Sequence, residues 1–413
     1  MGLNDTPSSG RVHIGFFGLR NAGKSSLVNA VTGQDLAVVS VVKGTTTDPV
    51  YKSMELLPLG PVMIIDTPGI DDEGELGGLR VRRARQVLNK TDVAVLVADM
   101  ENILLGGEEA GEKKPRVFNV KLGEAEEQLV DMFKAKKIPY IVVLNKCDKE
   151  GDWGLLQENV LPVSAKTGCN IGLLKEKIAA LAAAGEPPRR LVADLIAPGD
   201  FVVLVVPIDK AAPKGRLILP QQQTIRDVLE TGASAIVTRD SELKETLAGL
   251  GKKPALVITD SQVFAKVSAE VPAEIPLTSF SILFARCKGW LEASVRGAAA
   301  LESLKDGDKI LICEGCTHHR QCDDIGTVKI PRMVRNFSGA APEFFFRSGG
   351  DFPEDLSPYK MVIHCGACML NDREMQYRCL CAGDQNIPFT NYGVAIARMQ
   401  GILERSVAMF DGR

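Results

Sequence analysis

The chain lacks several things that would give its function away cheaply. Its longest apolar runs, such as Phe201–Pro207, fall far short of the ~18–20 residues that a membrane span needs. The first ten residues, MGLNDTPSSG, hold no apolar h-region, so no secretory signal is expected. Without a signal, a disulfide framework is not expected either, and a reducing cytoplasm is the expected compartment. The formal net charge is only −3, which leaves no global basic field to attract nucleic acid or an anionic membrane. Histidine is scarce, with four residues in 413. At roughly 100–200 residues per domain, that length argues for two to four domains.

Cysteine is present in quantity and is unevenly placed. Seven of the ten cysteines lie between Cys313 and Cys381, and three of the four histidines (His318, His319, His364) share that stretch. Clustered thiols and imidazoles in a reducing compartment indicate metal or redox chemistry; the bland alternative is a set of small buried side chains.

The organisation is α/β. From residue 11 to about 183, apolar strands (VHIGFFG, VMIIDT, VAVLVAD, YIVVLN) alternate with helices expected at Lys24–Thr32, Leu79–Asn89, Glu124–Lys136 and Ile171–Ala183. That alternation predicts a mostly parallel sheet with helices on both faces. GEPPRR at 185–190 reads as a linker. A smaller α/β unit follows, with strands FVVLVVP, SAIVTRD and PALVITD. A third starts near residue 296 and places a strand before each of two cysteine pairs, DGDKILICEGC and YKMVIHCGAC. The stretch between those pairs reads as irregular. Arg373–Cys381 and Tyr392–Phe410 read as helices, and no repeat of fixed period is visible. The expected domains are 1–185, 186–295 and 296–413. Residues of about 102–120 read as a long surface loop inserted in the first domain.

Gly18–Ser25 (GLRNAGKS) matches GxxxxGK[ST] between an apolar strand and a helix, the context that gives the pattern meaning. Its backbone N–H groups would curl around phosphates; Lys24 would reach the β/γ oxygens and Ser25 would ligate Mg²⁺. DTPG (Asp66–Gly69) ends a later strand. Asp66 would hold the Mg²⁺ and the Gly69 N–H would face the γ-phosphate. NKCD (Asn145–Asp148) ends another strand and offers a carboxylate for guanine N1–H and its exocyclic amine. SAK (Ser164–Lys166) would pack against the base. Nucleotide contacts are thus expected from Gly18, Asn21, Ala22, Gly23, Lys24, Ser25, Ser26, Asp66, Gly69, Asn145, Lys146, Asp148, Ser164, Ala165 and Lys166. Within GTTTDP, Thr46 is the choice for closing over Mg²⁺ and the γ-phosphate, with Thr45 and Thr47 beside it. Cys147, inside NKCD, reads as a neighbour of the base and not as metal chemistry.

This set resembles the translation-factor-like GTPases, in particular those of tRNA modification and ribosome assembly. Ile70 stands where many GTPases have a water-orienting glutamine, so slow intrinsic hydrolysis is expected. The resemblance implies that Asn21 ligates a potassium ion, which can take the place of an arginine finger. Lys24, Asn21, Thr46 and Gly69 are then the catalytic set. Glu73 or Glu75 could position water or could be solvated. RVRRAR (80–85) reads as a solvated basic face that could meet a partner.

The cysteine stretch contains Cys313-x-x-Cys316-x-His318 and, after 45 intervening residues, His364-Cys365-x-x-Cys368. Two thiol-bearing turns after two strands can converge on zinc or on an iron–sulfur cluster, and spacing alone does not choose. Joined to this GTPase, CxH…HCxxC resembles the HydF family, the maturation GTPases of FeFe-hydrogenase. The resemblance implies a 4Fe–4S cluster on Cys316, Cys365 and Cys368, with one iron open to an exchangeable ligand. His318 and His364 would be the fourth ligand or would orient a thiolate. Cys313 is an extra thiol that leaves the ligand count open; Cys322, Cys379 and Cys381 read as spare. It further implies GTP/GDP, Mg²⁺ and K⁺ as cofactors, a homodimer formed through the middle domain, and a transient 2Fe precursor. The partners implied are apo FeFe-hydrogenase and two radical-SAM maturases, with no nucleic acid and no membrane. The competing expectation is an RNA- or ribosome-associated GTPase with a zinc-ribbon module.

Overall fold

The computed structural model describes residues 6–34, 48–69, 83–102, 104–107, 117–148, 155–156, 159–184, 190–208, 217–315 and 324–410. The chain forms two compact units, Met1–Pro187 and Pro188–Arg413. Among the described residues no helix is long and apolar enough to cross a membrane.

In the first unit the elements are β1 (Val12–Phe17), α1 (Lys24–Thr32), β2 (Val50–Leu56), β3 (Gly60–Asp66), a helix α2 over 83–88, and β4 (Val93–Asp99). They continue with β5 (Leu104–Gly107), β6 (Val117–Lys121), α3 (Glu124–Ala135), β7 (Tyr140–Asn145), β8 (Leu155–Leu156), β9 (Val160–Pro162) and α4 (Ile171–Ala183). The main sheet runs β2-β3-β1-β4-β7-β9, parallel except for β2. The central strands read as unbroken apolar runs because both faces are covered. Leu27, Val31, Leu174 and Ile178 of α1 and α4 pack on one face. Val87, Leu88, Leu129 and Phe133 of α2 and α3 pack on the other. The stretch expected as a loop at 102–120 contains β5 and β6, which pair antiparallel and join β8 in a small second sheet.

The second unit holds β10 (Phe201–Val205), α5 (Leu219–Glu230), β11 (Ser234–Thr238), α6 (Leu243–Gly249), β12 (Leu256–Thr259), α7 (Phe264–Glu270), β13 (Leu277–Ser279), α8 (Phe280–Cys287) and α9 (Leu291–Ala298). Then come β14 (Lys309–Glu314), α10 (Ile330–Ser338), β15 (Glu343–Ser348), β16 (Met361–His364), α11 (Asp372–Asp384), β17 (Phe389–Asn391), α12 (Tyr392–Met399) and α13 (Leu403–Val407). The stretch read as irregular between the cysteine pairs thus supplies a helix and a strand.

These elements make two all-parallel, four-stranded sheets of the same order, β11-β10-β12-β13 and β15-β14-β16-β17. The unit is therefore a structural duplication that the sequence hides. Its clearest trace follows the last strand of each sheet. Ser279 caps α8 by accepting from Ile282 N–H, and Asn391 caps α12 by accepting from Val394 N–H. Gly289 and Gly401, both at positive φ, end those helices. Thr278, Ala285, Arg286, Leu291, Glu292, Ser294 and Val295 recur in step as Thr390, Ala397, Arg398, Leu403, Glu404, Ser406 and Val407. The single helix expected over 392–410 is broken at Gly401 for this reason.

The two halves exchange coverings. α9 lies on β17, so close that a Cβ on Gly297 would come within 2.2 Å of the Phe389 carbonyl oxygen. α13 lies on β13, and Arg405 donates to the Val271 and Pro272 carbonyls at 2.9 and 2.7 Å. Val394, Ala397 and Leu403 share one core with Val203, Val257 and Leu277. Each buried valine and leucine among them contributes ~1.5–3 kcal/mol by burial, and that burial depends on the other half.

Candidate functional site

The phosphate loop of the first unit is fixed by backbone demands. Gly18 has φ 144° and Gly23 φ 86°; a Cβ on Gly18 would meet the Val97 carbonyl oxygen at 2.1 Å, and one on Gly23 the Asn145 Nδ2 at 2.3 Å. Asn21 also adopts the left-handed region, at φ 64°. Lys24 is buried, and its Nζ donates to the carbonyls of Gly18 and Leu19 at 3.1 and 2.7 Å. The loop's own oxygens hold the ammonium where phosphate oxygens would.

Asp66 at the end of β3 accepts a 2.6 Å hydrogen bond from Ser25 Oγ on Oδ2, while its buried Oδ1 has no partner. Burial raises the Asp66 pKa, opposed by the Ser25 hydrogen bond and by Lys24. A hydroxyl and a carboxylate held together with an orphaned oxygen are a fitting donor set for Mg²⁺. Gly69 meets the phosphate loop directly: a Cβ there would lie 2.7 Å from Arg20 Cα.

The base loops are tied to the same frame. Asn145 Nδ2 donates to the Ala22 carbonyl at 3.0 Å, and its Oδ1 accepts from Ala165 N–H at 3.1 Å. Asp148 Oδ1 accepts from Ser164 Oγ at 2.7 Å, and Lys166 Nζ lies 3.8 Å from its Oδ2. Lys146 pairs with Asp99. One asparagine thereby joins the phosphate loop, NKCD and SAK. Cys147 is buried, and burial pushes its thiol up to about 11. Thr46, Ile70, Glu73, Glu75 and residues 80–82 lie outside the described residues.

The cysteine site is at the carboxyl ends of β14 and β16, the central strands of the last sheet, where parallel sheets place their ligands. Cys365 Sγ accepts backbone N–H bonds from Gly315 at 3.1 Å and from Ala367 at 3.3 Å. Burial raises its pKa, and those two donors pull it back down. Cys368 is half-buried and burial pushes it up to about 12. Among the described residues no three His, Cys, Asp or Glu side chains are gathered as a metal group. Cys316 and His318 lie outside the described residues, as does Cys322. A thiol that receives two backbone N–H donors is suited to a thiolate within a cluster.

His364 and Cys313 take other parts. His364 is fully buried, with Nδ1 3.0 Å from the Cys365 carbonyl oxygen and Nε2 3.0 Å from Arg378 Nη1. Arg378 can only donate, so Nε2 accepts and the proton sits on Nδ1. Both ring nitrogens are thus engaged by protein partners. Burial, with Arg378 adding to it, lowers the His364 pKa to about 3. Arg378 is itself 1% exposed, pairs with Glu374 and donates to the Gly349 carbonyl at 2.6 Å. Cys313 packs with Leu311, Ala285 and Trp290, whereas Cys365 packs with Ile310, Ile312 and Ile363. The two thiols thus belong to opposite faces of the sheet. Burial pushes Cys313 up to about 12. Sequence reasoning missed Arg378, Glu374 and Lys288, whose Nζ lies 2.5 Å from the Leu370 carbonyl oxygen. Glu374 and Arg378 stand four apart on α11, but nothing local marks that pair as buried.

The first unit is a P-loop GTPase domain: residues 13–146 match the 50S ribosome-binding GTPase domain. Residues 191–289 match the Hydrogen maturase F dimerization domain, and 292–409 the Hydrogen maturase F tetramerization domain. The chain belongs to the HydF family of hydrogenase maturation GTPases. Among curated relatives, GTPase Der of Wolinella succinogenes is 31% identical over 192 residues, 43% of this chain and 36% of that protein. The tRNA modification GTPase MnmE of Methylococcus capsulatus is 34% identical over 166 residues, 39% of this chain and 32% of that protein. The chain therefore spans about a third of the length of these relatives. Among solved structures, Era of Aquifex aeolicus superposes with a TM-score of 0.34 at 20% identity, covering 55% of this chain and 92% of that one. An overlap that low carries no argument about function. The HydF matches favour hydrogenase maturation over an RNA- or ribosome-associated GTPase with a zinc ribbon. They also extend the expected dimer, because the cysteine-bearing part matches a tetramerization domain.

Proposed function

We propose that the protein is a GTP-hydrolysing scaffold that holds a 4Fe–4S cluster and delivers a 2Fe precursor to apo FeFe-hydrogenase. The observation that carries this is the joining, in one chain, of a guanine-nucleotide site with a thiol loop at the carboxyl ends of β14 and β16. Cys365 and Cys368 would hold the cluster with Cys316; Cys313 and His364 would not. When bound, the cluster supplies an iron open to an exchangeable ligand, to which cargo can bridge and from which it can leave. The chain's own contribution is to orient the thiolates: two backbone N–H groups point at Cys365, and Arg378 through His364 fixes the peptide beside it. The functional parts are 1–185 for GTP, 186–295 for dimerisation and 296–413 for the cluster, the last two sharing one compact fold. The partners are the apo-hydrogenase and two radical-SAM maturases, which build the small ligands of the cargo, and the compartment is the cytoplasm.

On the nucleotide side, Lys24 and the phosphate-loop N–H groups bind the phosphates, Ser25 and Asp66 hold Mg²⁺, and Asp148 reads the guanine edge. Thr46 closes over the γ-phosphate. Asn21 holds K⁺, and hydrolysis is slow because Ile70 cannot orient water. Hydrolysis changes loop order and so biases partner exchange, as in other nucleotide switches. Anaerobic reconstitution with iron and sulfide, then EPR of the reduced protein, tests the scaffold reading. A cubane signal lost in Cys365→Ala and Cys368→Ala but kept in Cys379→Ala is expected. One tightly bound zinc with no cubane signal would sink it. Equal GTPase rates in sodium and potassium at matched ionic strength would refute the role of Asn21.

A further inference from the structure

The duplication in the second unit supplies an internal control for the residues around the cysteine loop. Lys288 caps the carboxyl end of α8, just before Gly289; Gln400 stands at the same place after α12, just before Gly401. The corner has one backbone geometry in both halves, and only the half beside the thiols fills it with a cation. Lys288 is 5% exposed. Its Nζ donates to the Leu370 carbonyl at 2.5 Å and lies 3.2 Å from the carboxylate of Asp372, a side chain that is itself more than half exposed. Leu370 and Asp372 lie two and four residues after Cys368 in the chain. Withdrawing an ammonium from water costs several kcal/mol even after relaxation, and a partner open to solvent offsets little of it. Gln400 shows that the turn does not require the charge.

Resting on the scaffold reading above, we infer that Lys288 is a positioning and charge-balancing residue for an anionic metal–sulfur cluster on the Cys365–Cys368 loop. A cubane on three thiolates carries net negative charge and gains more on reduction. A fixed cation in a low-dielectric surround favours the more negative state, so Lys288 raises the reduction potential. It also ties the loop to α8, because the same ammonium holds the Leu370 carbonyl.

The test is an EPR-monitored redox titration of the reconstituted full-length protein, with iron and sulfide counted in each sample. Lys288→Gln copies the residue that the other half uses at this corner and is chosen to fold. It is expected to keep its iron and cubane signal but to titrate at a lower potential, with Lys288→Arg restoring the wild-type value. Asp372→Asn, which leaves the cation unbalanced, is expected to shift the potential the opposite way. Full clusters with unchanged potentials in Lys288→Gln and Asp372→Asn would overturn the inference. So would shifts of the same sign in both, the mark of a general structural disturbance. A wild-type protein with no cubane signal would instead bring down the scaffold reading itself, before any variant is compared.

Discussion

The nucleotide site and the cysteine site prepare for their ligands in opposite ways. In the first, charged groups are paired with stand-ins: Lys24 sits on two loop carbonyls and Asp66 on Ser25. Nucleotide and Mg²⁺ need only exchange one set of polar partners for another. In the second, burial holds the thiols protonated, with Cys368 up to about 12 and Cys365 raised. A metal bound there, as proposed above, would displace those protons, so loading is expected to release acid and to depend on pH. Proton release is thus expected to accompany binding at the second site and not at the Lys24 end of the first.

The sharpest way to separate the two sites is Lys24→Ala. It is expected to cut GTP turnover by about three orders of magnitude, the scale of losing a preorganised charge on the transition state. Iron content after reconstitution should not change; a matching loss of iron would show that the sites are one system. Next comes Asp148→Asn, measured by competition binding. Loss of a charge-assisted hydrogen bond of ~1.5–3 kcal/mol predicts roughly 10- to 100-fold weaker GTP binding. Unaltered affinity would break the assignment of Asp148 to guanine.

The third prediction concerns acid. His364 has an ordinary pKa of 6.5 and is held down to about 3 in the fold, so below pH 6.5 the unfolded state takes up the proton first. The His364 contribution to stability is full above pH 6.5 and falls as pH drops towards 3, by about 1.4 kcal/mol per pH unit, hence about 2 kcal/mol at pH 5. Denaturant melts of the metal-free protein check this: the acid loss should vanish in His364→Gln. The smallest effect expected is that of Cys313→Ala. It should cost about 1 kcal/mol of stability by loss of a small buried group and leave iron content at the wild-type level. A drop in iron would return Cys313 to the ligand set.

Much of the nucleotide site is legible in sequence because its residues act through backbone turns that short motifs encode. Gly18, Gly23, Lys24, Ser25 and Asp66 need no distant partner to be recognised. The cysteine loop is half legible. The thiols and His364 announce themselves, but the groups that decide their roles, Arg378 and Lys288, reach them only through tertiary contact. Cys313 looked equivalent to its neighbours in spacing; strand alternation puts it on the other face of the sheet from Cys365. The duplication escaped notice because what recurs is caps, glycines and a few helix positions, while the strands diverged within their apolar class. The Gly401 break in 392–410 was hidden because helical periodicity continues on both sides of it.

The exchange of α9 and α13 has a mechanical consequence. A chain cut between residues 289 and 292, where the two matched domains divide, does not yield two intact modules: α9 stays with β17 in the second piece, but the first piece keeps its sheet and loses α13, the helix that lies on β13. Pulled from its ends in an optical trap, the second unit is expected to give way in one rip and not two. The thiol loop therefore cannot swing on a tether of its own. On the scaffold reading proposed above, a cluster held by Cys365 and Cys368 would be carried by the second unit as a whole.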